Sequence, residues 1–206
     1  LEFRRVLFRS DVDFRHGVLA SGEHEWIRMN GDVKSAGGEE WFDVVNERDE
    51  VVGRQTRRVV HATGLWHRAV HVLVFDRRGR VFLQKRSMLK DLSPGLWDSS
   101  CSGHLDAGED YDSAAVRELD EEIGLVVTAA PVRWFRIDAC VETGWEFVWV
   151  YRMNHEGPLT LDPREIQYGE WVDPMEVNAR MQRQRGDFCP SFNLLWPLAF
   201  ARLEIG

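Results

Sequence analysis

The sequence predicts an α/β chain (α+β), a layered sandwich whose strands and helices share one core. Short β-rich runs bounded by turn residues recur along it. Other segments place apolar residues at helical spacing. The two kinds mix without internal repeats over 206 residues, a length that suits one domain with a substantial core. Such mixing argues for packed layers.

Residues 1–40 stand apart, being polar, glycine-containing and without clear periodicity. Arg4–Ser10 resembles a translated sequencing adapter, so 1–40 is expected to be a poorly ordered or non-native extension, and the domain is placed at 41–206. From Trp41 the pattern sharpens. Trp41–Asn46 and Val51–Thr56 read as strands around the polar turn Glu47–Glu50. Ala69–Phe75 and Arg80–Arg86 flank Asp76-Arg77-Arg78-Gly79 and read as a hairpin in a central sheet. Ser87–Leu96, with Pro94-Gly95, is a loop, and Trp97–Cys101 an extended run. A helix is predicted from Asp110, a good N-cap, to just before Gly124, a good C′ residue. Val132–Val141, Trp145–Met153 and Ile166–Val172 return to the sheet, while Pro174–Arg183 and Phe192–Leu203 have helical patterns.

Composition excludes several classes. A net charge of −8 opposes general binding to a nucleic-acid backbone. No apolar run approaches the ~20 residues that span a bilayer, and no secretory core is present. Cys101, Cys140 and Cys189 give an odd count without framework spacing, which suits a reducing cytoplasm. Nine tryptophans are many for this length; most are assigned to core packing, with one or two available to stack on a flat ligand group.

The predicted helix carries the chemistry. At about 100° per residue, Val116, Leu119 and Ile123 share a stripe assigned to the core. Glu121 and Glu122 fall about 60° and 40° to either side of Glu118, so the three form one acidic face. Gly103 and Gly108 let the preceding loop fold back, bringing Glu109 and a loop carbonyl, that of Gly103, towards the same face. Carboxylates so crowded repel unless a cation lies between them. Oxygen-only ligands suit Mg²⁺ or Mn²⁺ rather than zinc.

Residues 103–125 fit Gly-x5-Glu-x7-Arg-Glu-U-x-Glu-Glu-x-Gly-U, with U a bulky aliphatic, at every constrained position. Chance supplies such a match in on the order of one chain in ten million. The segment resembles the signature box of the Nudix hydrolases. That resemblance implies a mixed sheet sandwiched between helices, and Mg²⁺-dependent cleavage of a nucleoside diphosphate linked to another moiety, or of a related small diphosphate. Glu118 and Glu122 are then the expected direct ligands. Glu121 is a ligand or the general base, and Glu109 a second-metal ligand. Arg117 orients a box glutamate. Glu142, Glu146, Glu165 and Glu170 are further candidates for the base. Family members are often homodimers, although no self-complementary face is legible here.

A second resemblance is to isopentenyl diphosphate isomerase, through Leu83-Gln84-Lys85-Arg86, Lys90, Pro94-Gly95-Leu96-Trp97 and Gly103-His104. It implies that Arg86 and Lys90 contact a diphosphate. It places His61, His67 and His104 where that family binds metal, with His104 also a candidate to face the substrate. Set against this, these histidines and His71 are ordinary structural residues in most proteins. The isomerase thiol is missing: Ser102 precedes Gly103, and Cys101 is one residue off, facing the other way on an extended chain. Of the later acidic pair only Glu146 remains, with Gly144 at the other position. The reading is therefore a hydrolase of an isomerase-like branch, with an isomerase and a non-catalytic nucleotide-binding sensor as the alternatives.

Overall fold

The central strand of the sheet, His67–Phe75, is buried along nearly its whole length and alternates between two cores. Ala69, Leu73 and Phe75 pack on one side, Val70, Val72 and Val74 on the other. A computed structural model describes residues 39–203 of the chain. The expectation for 1–40 falls almost wholly on 1–38, outside the described residues.

The elements run β1 (Trp41–Val45), β2 (Val51–Thr56), α1 (Arg57–Thr63), β3 (His67–Phe75), β4 (Val81–Arg86), β5 (Trp97–Asp98) and β6 (Cys101–His104). Then follow α2 (Tyr111–Ile123), β7 (Val132–Ile137), β8 (Glu146–Asn154), β9 (Ile166–Val172), α3 (Pro174–Arg183) and α4 (Pro190–Phe200). β1 and β2 form an antiparallel pair, and the other strands a seven-stranded mixed sheet. β3 runs parallel to β8, which pairs antiparallel with β7. Helix α2 covers one face through Ala115, Leu119 and Ile123; α3 and α4 cover the other through Val177, Phe192, Leu195 and Trp196. The layered α/β sandwich is the fold the sequence predicts.

Several details differ from expectation. The β3–β4 hairpin pairs only at its turn, Phe75 with Val81. Beyond it the chain 97–104 wedges between the two strands: β5 pairs with β4, and β6 with β3. Ser100 sits at the fork. Its hydroxyl accepts from Val74 N at 2.8 Å and donates to Phe82 O at 2.6 Å, joining backbones that no longer meet. The expected strand 97–101 is thus two short strands around Ser99-Ser100, and Gly103 lies in β6 rather than in a loop. Val116 is only half-buried; Ala114 and Ala115 take the core positions instead. Helix α1 was not expected. It has a single buried residue, Val60, and no side-chain N-cap bond, so tertiary contacts rather than its own sequence hold it.

Candidate active site

Helix α2 begins as predicted. Asp110 accepts from the Asp112 and Ser113 backbone amides, and Gly124 closes the C-terminus at φ 65°. This fixes the rotation of the helix and buries Glu118 and Glu122, while Glu121 stays near solvent. Gly103 pairs with Val70, and the Glu118 carboxyl fills the space a β-carbon on residue 103 would occupy. Glu122 accepts from Ser102 N at 2.9 Å and from Gln84 Nε2 at 3.3 Å.

Arg117 binds the acidic residues together. Its Nε and Nη2 grip both oxygens of Glu109 at 2.9 and 2.8 Å. Its Nη1 reaches Glu118 at 2.5 Å and Glu121 at 3.2 Å, and Nη2 also donates to His104 O at 2.9 Å. One cation thus faces three carboxylates. Burial pushes Glu118 above the usual carboxylate range, with Arg117 offsetting part of the effect. Burial also pushes Glu122 up, and the neighbouring Glu118 charge adds to it. Two buried carboxylates one turn apart, under-compensated, fit a hard divalent cation.

A second group lies beside the first. His61 (α1), His67 (β3), His104 (β6) and Glu146 (β8) bring one donor atom each within 4.8 Å of one another. The His61 and His104 Nε2 atoms are 3.3 Å apart, and Glu146 Oε1 lies 2.9 Å from His104 Nε2 and 3.5 Å from His67 Nε2. His67 Nδ1 is 2.9 Å from Leu65 O, which can only accept, so this nitrogen carries the proton. His67 Nε2 is buried without a hydrogen-bond partner. Burial lowers His61 to about 4, helped by His104, and burial likewise lowers His104 despite the opposing Glu146 carboxylate. Burial would push Glu146 up, but His104 and His67 outweigh it and hold the carboxylate ionised. A cation would satisfy all four atoms at once. Phe42 of β1 packs on the group, its centroid 4.7 Å from His104 and 5.7 Å from His67.

Other expected residues divide. Lys90 pairs with Glu165 and feels the charges of Glu118 and Glu122. Arg86 leans on Leu92 O and Asp98 and lies within the field of Glu122 and Glu165. Glu170 is paired with Arg180 at 2.5 Å. His71 bonds Ser99 Oγ at 2.8 Å. Cys101 is buried in the core beneath α2, on the opposite face of β6 from Ser102 and within the field of Glu122 and Glu118. Phe42 and Asp43, which contact the site from β1, carried no signal in the sequence.

A family model described as the NUDIX domain matches residues 65–192. The chain belongs to the Nudix family. A Yersinia pestis protein described as an uncharacterized Nudix hydrolase is 31% identical over 159 residues, covering 75% of this chain and 85% of that one. The isopentenyl-diphosphate Delta-isomerase 2 of Photorhabdus laumondii is 33% identical over 141 residues, covering 66% and 78%. Among solved structures, a Deinococcus radiodurans protein superposes with a TM-score of 0.62 at 29% identity, covering 70% of this chain and 90% of that one. This Nudix protein is a hydrolase acting on pyrophosphate bonds, of the isomerase-like branch. Enzymes of the family generally use divalent metals and act on small nucleotide-like molecules. Among the described residues no helix is long and apolar enough to cross a membrane.

Proposed function

We propose that this Nudix protein is a Mg²⁺-dependent pyrophosphohydrolase, with Mn²⁺ as substitute. Its substrate is a nucleoside diphosphate linked to another moiety, or a related small diphosphate. The observation that carries the reading is the buried pair Glu118–Glu122, seated behind Gly103 and braced by Arg117. Glu118 and Glu122 would hold the cation. When bound, it lowers the pKa of water, orients the diphosphate and offsets charge building on its oxygens.

The chain's own groups do the rest. Arg117 keeps Glu118 and Glu121 aimed at one point and ties them to Glu109. Both Glu109 oxygens are engaged by this guanidinium, so ligation by Glu109 would share those bonds. Glu121, with 37% of its side chain exposed, is the box carboxylate that attacking water can reach, and accepts its proton. Arg86 and Lys90 supply positive charge to the phosphate oxygens, Lys90 exchanging its bond to Glu165 for one to substrate. His104 lies between the two groups, its carbonyl on Arg117 and its ring beside Glu146. The three cysteines are free, in keeping with action in a reducing cytoplasm.

The test is a screen of nucleotide sugars, dinucleotides, nucleoside triphosphates and prenyl diphosphates with Mg²⁺. Release of phosphate or nucleoside monophosphate, lost in Glu121→Gln and in EDTA, supports the reading. Activity untouched by EDTA would rule it out.

One observation favours a second reading, isomerisation of isopentenyl diphosphate: the His61–His67–His104–Glu146 group stands where the resemblance to the isomerases places their metal-binding histidines. Against it, Cys101 is buried and its thiol pushed well up by burial, so it is no proton donor to substrate. Dimethylallyl diphosphate formed from isopentenyl diphosphate, and abolished in Cys101→Ala, would reverse this judgement.

A further inference from the structure

We propose that Asp43, on the strand upstream of the segment matched by the family model, is a positioning residue for the box. It fixes the loop 105–109 and, through it, the Glu109–Arg117 arm. The inference rests on the reading above, in which Glu118 and Glu122 take a cation.

Strand β1 meets the box loop twice. Trp41 O accepts from Ala107 N at 2.8 Å, and Asp43 Oδ2 accepts from Gly108 N at 2.8 Å. Asp43 is 6% exposed, and its other oxygen accepts from Arg54 Nε at 2.8 Å. Gly108 sits at φ 85°, a conformation that a side chain would strain, and a β-carbon there would meet the Arg54 guanidinium at 3.3 Å. The loop turns at this glycine and delivers the next residue, Glu109, whose carboxylate grips Arg117 from two sides. Arg117 in turn sets Glu118 and Glu121. A continuous series of short bonds therefore runs from Asp43 through Gly108, Glu109 and Arg117 to Glu118.

The strand cannot slide without cost. Phe42, between the two contact residues, points the opposite way and is packed against three imidazoles. Asp43 is thus held at a fixed place relative to both groups of the site. The β1–β2 hairpin has a separate anchor at its far end. There Asp49 accepts from Arg68 Nε at 2.6 Å and from the Tyr111 hydroxyl at 2.8 Å. This anchor provides the control, because it ties the same hairpin to β3 and to Tyr111 at the start of α2 without bonding to loop 105–109.

The experiment uses the full chain in a His67→Ala background, which silences the histidine group. Mn²⁺ binding is titrated by electron paramagnetic resonance, and amide hydrogen exchange is followed over 105–110. Asp43→Ala should weaken Mn²⁺ binding about tenfold and speed exchange at Ala107–Glu109, as loss of a group supporting a ligand does. Asp43→Asn, which keeps one acceptor, should recover part of both. Asp49→Asn should lower the melting temperature yet shift Mn²⁺ affinity by less than about twofold. Unchanged Mn²⁺ affinity in Asp43→Ala, or an equal loss in Asp49→Asn, overturns the proposal. A parent protein that takes up no Mn²⁺ would sink the functional reading instead, and the exchange comparison would then decide on Asp43 alone.

Discussion

The carboxyl group of Glu118 occupies the place where residue 103 would carry a β-carbon. The glycine of the box is therefore a packing requirement: a side chain at residue 103 would collide with the Glu118 carboxyl group, which Arg117 holds in place. Gly103→Ala should push Glu118 out of line. The expected cost is about 1–3 kcal/mol of stability, read by urea denaturation. Diphosphate hydrolysis should fall about a hundredfold, as misplacement by an ångström does.

Glu122 is buried against Ser102 N and Gln84, beside a second carboxylate. An amide in its place removes a carboxyl group whose ionisation burial and Glu118 both oppose when no cation is present. Glu122→Gln should therefore melt at or above the wild-type temperature in EDTA. Mg²⁺ at about 100 times its Kd should stabilise the wild type by about 2.7 kcal/mol and the variant hardly at all. Calorimetry with and without metal separates the two.

Arg117 is the shared counter-ion of Glu109, Glu118 and Glu121. Arg117→Met should cost about 3 kcal/mol in metal-free urea titrations, because it strands buried charge. Arg117→Lys keeps the charge but cannot reproduce the two-pronged grip on Glu109, and should recover only part of the loss.

The group His61, His67, His104 and Glu146 should take up Co²⁺, giving visible absorption of a low-coordinate site. His67→Ala should abolish that band and leave Mg²⁺ binding at the box in place. A spectrum unchanged by the substitution would mean that the ion sits elsewhere.

Asp110 is held below the usual aspartate range, first by the Ser113 backbone amide and then by the Ser113 hydroxyl. A depressed folded-state value contributes stability that is present above the unfolded value and lost as pH falls through the folded one. Asp110→Ala should therefore cost about 1 kcal/mol at neutral pH. The gap to wild type should close as pH drops below about 4. Thermal melts across pH would show it.

The box was legible because its glutamates share one capped helix, where sequence spacing translates directly into angle. The histidine group was legible only through the resemblance to the isomerases, which pointed to His61, His67 and His104, because its ligands come from four elements. His67 and Glu146 are first residues of their strands, and parallel pairing sets them opposite one another. That register is a long-range fact, and no local spacing in the sequence announces it. The β3–β4 hairpin shows the converse. Its turn residues gave a strong local signal, yet β5 and β6 compete for the same edges and win beyond Phe75–Val81.

The fork at Ser100 has a consequence for assembly. The strands that flank the wedge are synthesised before the wedge itself, and nothing prevents them from zipping together in its absence. Residues 97–104 must therefore be threaded between partners already able to pair. Helix α2 follows the wedge in the chain and packs against β6, so the acidic face is presented only once that strand is in place.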